Sequence, residues 1–462
     1  MKDRIRNISS CQTIMLGFAF MILVGASLLN LPIASKTGES VGFLNALFTA
    51  TSANCVTGLV VVNTMEHWTF FGKIVILALI QFGGLGFMAI ITIGMILLNK
   101  KISLKSRKAI QTSFNQADIG GMVKLVKRVV KITLIFESIG AIILAIIFYT
   151  SMEIKILEAL FQGIFHSISA FCNAGFDNLG SDSLVPFQLN GFLNYTIMFL
   201  IVAGGLGFNV WIEIIENFKN KEKKPLRLRL IHMSLHSKIV IGFTSILIFG
   251  GALLFLLFEW SNVDTIGNFN ILGKIRAVLF QSVTLRTAGF NTIFQGQLTD
   301  FSKALSCVWM LIGGSPASTA GGIKTVTIAV ILISMVAALK GKNRLEIFRR
   351  TLPFDLLLKA ITILMIMLLL VSLSTILLYF TESLNHHEYQ FLDLLYEVCS
   401  ATGTVGLSTG ITGGLSSLGK MILIACMYLG RLSPITVIIA LNSKLDDDTE
   451  IIKLPDERVI IG

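Results

Sequence analysis

The chain has 462 residues, of which 54% are hydrophobic and only 14% charged, with a mean hydropathy of +0.78 and a net charge of +11. Ordinary soluble domains carry about 25% charged residues, so this composition excludes a water-soluble enzyme, a disordered chain and a nucleic-acid-binding domain. It fits a protein that crosses a membrane many times, each crossing helix needing about 20 apolar residues.

The first apolar segment, 12–31, follows a short basic N-terminus. It is long enough to cross and no small-residue cleavage site follows, so it reads as a first helix rather than a leader. Further long apolar segments follow at 71–98, 129–149, 191–215, 238–259, 303–339, 356–380 and 417–442. Between the members of each pair lies a shorter stretch, at 41–53, 157–171, 272–286 and 390–402. These four are too short to span and suit helices that enter the membrane partway.

Segments 1–7, 99–131, 217–238, 340–359 and 443–462 hold 28 of the 38 Lys and Arg. The positive-inside rule makes them cytoplasmic. This is self-consistent if each pair of long segments goes out and back while the short stretch does not cross. The expected architecture is therefore an all-α polytopic protein built of four tandem units, each helix, half-entering hairpin, helix, with both termini inside. The same basic loops, densest at Lys219, Lys221, Lys223, Lys224, Arg227 and Arg229, offer a docking surface as a second use. The six cysteines form no CxxC or CxxH pair, so neither a disulfide framework nor a zinc site is expected.

An internal repeat supports the four units. After each short stretch comes a cluster ending in Gly and a large apolar residue: Val56-Thr57-Gly58-Leu59, Asn173-Ala174-Gly175-Phe176, Thr287-Ala288-Gly289-Phe290 and Thr404-Val405-Gly406-Leu407. The glycines are 117, 114 and 117 residues apart. Six residues before them stand Ser52, Ser169, Val283 and Ser400, and five before stand Ala53, Ala170, Thr284 and Ala401. A second echo follows at Gly83-Gly84, Gly204-Gly205, Gly313-Gly314 and Gly430-Arg431. A dehydrated cation needs several oxygen ligands, which a ring of backbone carbonyls supplies. Turning such carbonyls onto one axis needs angles that Gly permits. A helix C-terminus pointing at the site adds partial negative charge.

At these motifs the sequence resembles the membrane subunits of the Trk/Ktr/HKT superfamily of potassium transporters. The residues that carry the likeness are TSANCVTGL (51–59), SAFCNAGF (169–176), TLRTAGF (284–290) and SATGTVGL (400–407), and it extends over nearly the whole chain. The resemblance implies a potassium-channel-like fold of four M1–P-loop–M2 units around one central pore, in a bacterial plasma membrane. Repeats are expected at 1–104, 105–220, 221–345 and 346–445, with a cytoplasmic tail at 446–462. Only Thr404-Val405-Gly406 reproduces the TVG of a channel filter, so a shorter ion site than a channel's is expected. The resemblance further implies a homodimer, a cytoplasmic nucleotide-binding regulatory ring of the KtrA/KtrC kind, potassium as cargo and sodium as a stimulating ion.

Segment 313–324 (Gly313-Gly314-Ser315-Pro316-Ala317-Ser318-Thr319-Ala320-Gly321-Gly322-Ile323-Lys324) breaks the sixth apolar stretch. Gly costs about 1 kcal/mol and Pro about 3 in a helix interior, and irregular backbone at membrane depth must be buried or line water. A broken helix with a loop beneath the third hairpin is expected, and the resemblance makes it a gate. Arg431, within the last apolar helix, should face the pore or a partner; the resemblance makes it a positive barrier to ions beside that loop. Arg286 is expected to clamp its hairpin, and Glu397 to make a buried hydrogen bond. Asp177 fits a cation-attracting outer mouth or a solvated turn equally.

The chain contains no GxxxxGK[ST] or HExxH motif, so neither nucleotide on this chain nor an enzymatic role is expected. Potassium uptake down the electrochemical gradient is the favoured function. The alternative is a sodium- or proton-coupled symporter with alternating access, which would call for inverted repeats and acids at the bilayer midplane.

Overall fold

The computed structural model describes residues 9–100, 102, 104–113, 120–219, 233–342, 345–348, 350–432 and 437. The basic run 221–229 and the expected tail 446–462 lie outside them, as do residues 1–8.

Helix α1 (Ser10–Leu29) starts at a capping box: Ser9 and Gln12 each accept the other's backbone N–H, at 3.2 and 3.0 Å, satisfying two of the donors that a helix start leaves free. Three other helices share its length and apolarity: α6 (Met122–Met152), α10 (Leu235–Glu259) and α14 (Phe354–Leu384). At 1.5 Å per residue the 31 residues of α14 reach about 46 Å, past the ~30 Å hydrocarbon layer. Each of these four is followed by a short helix of 12 to 16 residues: α2 (Phe43–Asn54), α7 (Ile156–Phe171), α11 (Ile271–Thr284) and α15 (Phe391–Gly403). They fall on the four short stretches of the sequence.

The returning segments depart from expectation. Segments 71–98 and 191–215 read as continuous spans, but the first is α3 (Phe70–Leu85) and α4 (Phe87–Leu97), bent by 97°, and the second is α8 (Gly191–Gly205) and α9 (Phe208–Lys219), bent by 99°. Gly86 and Gly207 sit at the breaks with φ of +85° and +88°, which a side chain resists. The third returning segment divides as expected, into α12 (Asp300–Leu311) and α13 (Thr325–Leu339) with the loop between them. The fourth is α16 (Ser417–Leu432); most of its expected end, up to 442, lies outside the described residues. The basic connections carry helix α5 (Leu104–Ser113) and a small antiparallel pair, β1 (Leu345–Ile347) and β2 (Arg350–Leu352), in the register Ile347 opposite Arg350.

Helix packing closes a ring. The returning helix of each unit lies on the short helix of the next: α3 on α7, α8 on α11, α12 on α15, and α16 back on α2. Small residues permit close approach, as where a side chain on Gly163 of α7 would meet Ala145 of α6 at 2.8 Å, the usual device between helices in lipid. Between α12 and α15 lies a buried ion pair, Lys303 Nζ to Asp393 Oδ1 at 3.0 Å, with side chains 7% and 17% exposed. Removing one partner of such a pair strands the other and costs about 3–5 kcal/mol. Asp393→Ala is therefore expected to lower the melting temperature of the detergent-purified chain markedly. The double change Lys303→Met with Asp393→Leu should recover most of the loss, and a cost no smaller in the double variant would contradict the pairing.

Candidate functional site

Each short helix ends in a strand of the same backbone. Two residues before the glycine, Val56, Asn173, Thr287 and Thr404 all have positive φ, between 53° and 62°. The glycines follow at φ of 97°, 69°, 82° and 92°, and no residue between them has positive φ. Non-glycine residues held this way cost about 1–3 kcal/mol each and persist only where surroundings impose it. Alternation of this kind turns successive carbonyls toward one side. Four repetitions, on four different sequences, are a property of the assembled site.

The four glycines meet. A Cβ added to Gly58 would lie 2.5 Å from the Ala174 oxygen, on Gly175 2.7 Å from that of Ala288, and on Gly289 2.5 Å from that of Val405. On Gly406 it would collide with the Thr57 oxygen, which closes the circle back to the first unit. The sequence-predicted residues Val56 to Gly58, Asn173 to Gly175, Thr287 to Gly289 and Thr404 to Gly406 are thus brought around one axis. All are buried.

Hydroxyls behind the strands hold them. Ser52 Oγ and Ser400 Oγ accept the N–H of Gly58 and Gly406 at 3.0 Å. In the middle units the hydroxyl reaches one residue further: Ser169 Oγ donates to the Phe176 carbonyl at 2.6 Å and Thr284 Oγ1 to the Phe290 carbonyl at 2.8 Å. The third unit is one residue shorter, so Thr284, five residues before its glycine, takes the place of serines standing six before. Val283, which stands six before its glycine as the serines do, carries no hydroxyl, and Thr284 supplies it instead.

A second set of clamps joins three short helices to the chain beyond the glycine. His166 Nε2 faces the Asn178 N–H at 3.3 Å. The side chains of Gln281 and Gln295 bond at 2.6 Å, with the Tyr396 hydroxyl donating to Gln295 at 2.8 Å. Glu397, expected to make one buried hydrogen bond, accepts from the Ser408 hydroxyl, the Thr409 N–H at 3.1 Å and the Thr412 hydroxyl at 2.7 Å. Arg286 does not act as the clamp expected of it. Its guanidinium is buried with Nε and Nη2 unpartnered, and only its backbone carbonyl lies near the Asn173 amide, at 3.3 Å. Asp177 accepts the Leu179 N–H at 3.3 Å, as a turn residue does.

Loop 313–324 lies against the inner side of the strands. Its neck is closed where Gly313 N–H donates to Ile323 O at 2.9 Å and Ile323 N–H to Leu311 O at 3.0 Å. Its body fits the break between α8 and α9. Ser315 N–H donates to Gly205 O at 3.0 Å, Thr319 N–H to Gly204 O at 3.3 Å, and the Ser315 hydroxyl to Leu206 O. In return Phe208 N–H donates to Ala317 O at 2.8 Å. The loop supplies the partners that a broken helix lacks in lipid. Thr319 Oγ1 also donates to Phe171 O at 3.0 Å, lies 3.2 Å from the Asn173 amide, and Lys324 Nζ donates to Ala320 O at 2.7 Å. Gly321 leaves no room beside the Thr404 side chain. Arg431 donates to Thr319 O through one nitrogen and to Gly83 O, at the end of α3, through another. The predicted gate residues Gly313 to Gly322, Lys324 and Arg431 therefore form one structure, immediately against two of the four strands.

A family model described as TrkH, a cation transport protein, matches residues 11–451. The potassium/sodium uptake protein NtpJ of Enterococcus hirae is 39% identical over 467 residues, covering 100% of this chain and 99% of that protein. The Ktr system potassium uptake protein B of Bacillus subtilis is 38% identical, covering 98% of this chain and 96% of its own. The crystal structure of the potassium transporter TrkH from Vibrio parahaemolyticus superposes with a TM-score of 0.72 at 18% identity, over 93% of this chain and 84% of that one, so the two share a fold.

The Glu397 clamp makes a structural prediction. Glu397→Ala would remove the acceptor shared by one buried hydroxyl, Thr412, and two half-buried donors, the Ser408 hydroxyl and the Thr409 N–H; a donor stranded in this way costs about 1–3 kcal/mol. Amide hydrogen exchange over 404–412 should quicken by at least tenfold relative to the equivalent strand of the first unit. Unchanged exchange there would show that the strand is held by packing alone.

Proposed function

The chain belongs to the TrkH family of cation transport proteins, and on that premise we propose that it takes up potassium through the ring of Gly58, Gly175, Gly289 and Gly406. The carrying observation is that ring: four strands of one backbone geometry, closed on each other at glycine, with no room for a side chain. Backbone carbonyls of residues 56–58, 173–175, 287–289 and 404–406 replace the hydration shell of the ion. The carbonyls of Phe176 and Phe290 are occupied by hydroxyl donors, which fits a short ion site. The C-terminal ends of α2, α7, α11 and α15 abut the ring and add negative potential. Entry into a negative interior yields about 2.3 kcal/mol per 100 mV for a monovalent cation, so uptake needs no nucleotide hydrolysis by this chain.

The four repeats divide at 1–104, 105–220, 221–345 and 346–445, in a bacterial plasma membrane with both termini cytoplasmic. Loop 313–324 is the gate. Six hydrogen bonds hold it to α7, α8, α9 and Arg431, and at a net 0.5–1.5 kcal/mol each they total roughly 3–9 kcal/mol. Reversing a closed preference of 99 to 1 takes about 5.5 kcal/mol of differential binding, within reach of a protein partner. Relatives named as parts of a Ktr system support a separate regulatory assembly, which we assign to a cytoplasmic nucleotide-binding ring on a homodimer of this chain. The name of the Enterococcus hirae relative supports sodium as a second ion, either carried or stimulating.

Two experiments test this reading. Gly289→Ser should reduce the preference for potassium over sodium in uptake by roughly tenfold or more, because the hydroxymethyl group must displace the Val405 carbonyl; unchanged competition by sodium would refute the ring as the selective element. Deleting Ala317–Ala320 removes Thr319 and its four contacts, and should raise flux several-fold, most clearly without the regulatory partner. A correctly inserted deletion with unaltered flux would reduce the loop to a packing element.

A further inference from the structure

On the outer surface of the protein, away from the ring, the bend at Gly86 leaves a gap between α4 and α6. The gap is a groove of about 580 Å³, walled by Ile93 and Ile96 of α4 and by Val130, Leu134, Ile135 and Ile139 of α6. Next to it, sharing Lys127, lies a recess of about 400 Å³ whose charged lining is Arg107, Lys124 and Lys127, with Met122 and Val123 beside them. Lys127 lines both spaces, and Lys131 stands at the mouth of the groove.

Lys124, Lys127 and Lys131 follow one another at helical spacings of three and four, so they share a face of α6. The same face continues as Leu134, Ile135 and Ser138. Among the described residues, the ion pair at this level is Arg128 with Glu216 at 2.7 Å, and Arg107, Lys124, Lys127 and Lys131 take part in none. Depth agrees with this division. About 20 residues of α6 suffice for the hydrocarbon layer; counted back from Met152 they begin near residue 133, so the three lysines lie outside that layer on its headgroup side, Lys131 nearest its edge and Lys124 about two turns further out.

We propose that this groove is a binding site for one anionic phospholipid, its phosphate and negatively charged headgroup in the Arg107–Lys124–Lys127 recess and an acyl chain along the α4–α6 wall. Four cations beside an apolar channel of ligand size complement that chemistry. A zwitterionic lipid brings its own cation into the recess and is disfavoured. Attraction near an anionic headgroup amounts to about fivefold in affinity per basic residue. The inference rests on the chain lying in a bilayer and is independent of the pore reading, because its test reads lipid binding and no ion flux.

The experiment is native mass spectrometry of the full-length, detergent-purified chain with dioleoylphosphatidylglycerol or dioleoylphosphatidylcholine as probe. One phosphatidylglycerol per chain should persist preferentially. The triple change Lys124→Gln, Lys127→Gln, Lys131→Gln should weaken it by roughly a hundredfold, and Ile135→Trp, which fills the groove without altering charge, by about tenfold. Glycerophosphoglycerol, the headgroup without chains, should not compete. Equal retention of the two lipids, an unaffected triple variant, a Trp variant that binds normally, or competition by the bare headgroup would each overturn the site. A change of oligomeric state in the variants without loss of lipid would assign the face to a second copy of the chain instead. Should the variants fail to fold, the unaltered chain labelled with a diazirine-tailed phosphatidylglycerol still decides: adducts at 93–96 and 134–139 support the site, and adducts elsewhere overturn it.

Discussion

Backbone pressed onto backbone at four glycines is the contact on which the rest of the molecule depends. Each glycine of the ring faces the carbonyl of the next strand at a distance where no side chain fits, so every strand must be delivered to its place within a few tenths of an ångström. Delivery depends on the helices behind. The ends of α2, α7 and α15 rest on Gly83, Gly204 and Gly430 of the returning helices, where an added Cβ would strike the carbonyls of Asn54, Phe171 and Thr402. The left-handed residues before the ring glycines are strained, and the hydroxyls of Ser52, Ser169, Thr284 and Ser400 pin each strand just beyond them, at the glycine N–H or the carbonyl that follows it. Packing each returning helix on the short helix of the next unit then makes the circle close.

A membrane interior allows no backbone group to go unpaired where lipid could reach it, and this rule explains the loop. The break between α8 and α9 exposes three carbonyls and one N–H, and loop 313–324 answers all four. Break and loop are therefore one feature drawn from two units. Arg431 extends the same logic to the break between α3 and α4 through the Gly83 carbonyl. A charge that is costly at membrane depth is held there by carbonyls from two other units, and it can leave neither without stranding them. Loop and helix end are consequently coupled: whatever moves the loop must also re-pair the end of α8.

How far the sequence could be read follows from how local each signal is. The four glycines, the short helices before them and the loop at 313–324 stand out because each is a contiguous pattern with a spacing or a helix-breaking composition of its own. The bends at Gly86 and Gly207 were missed because average hydropathy over 71–98 or 191–215 does not register a single glycine whose φ is positive. The roles of Val283 and Thr284 were undecidable because a one-residue shortening shifts the register, and only the hydrogen bond to Phe290 selects Thr284. The clamp expected of Arg286 failed for a related reason, since direction of a side chain cannot be read from its position in the chain. The α4–α6 groove was invisible too, since it exists only once α4 is turned away from α3.

What the sequence determined by itself is the composition of each unit: an apolar helix of spanning length, a short helix, a glycine strand and a return, four times, with most of the basic charge in the segments that join the units. Periodicity, length and charge act within a few dozen residues, so the chain alone specifies them. Which oxygen faces which glycine, where the returning helices break, and which unit supplies the partners for another's freed carbonyls were decided only in the tertiary structure. Those are contacts between residues more than a hundred positions apart, as between Ser315 and Leu206 or Arg431 and Gly83. They arise because a buried polar backbone in lipid must find its partner wherever the fold has placed one.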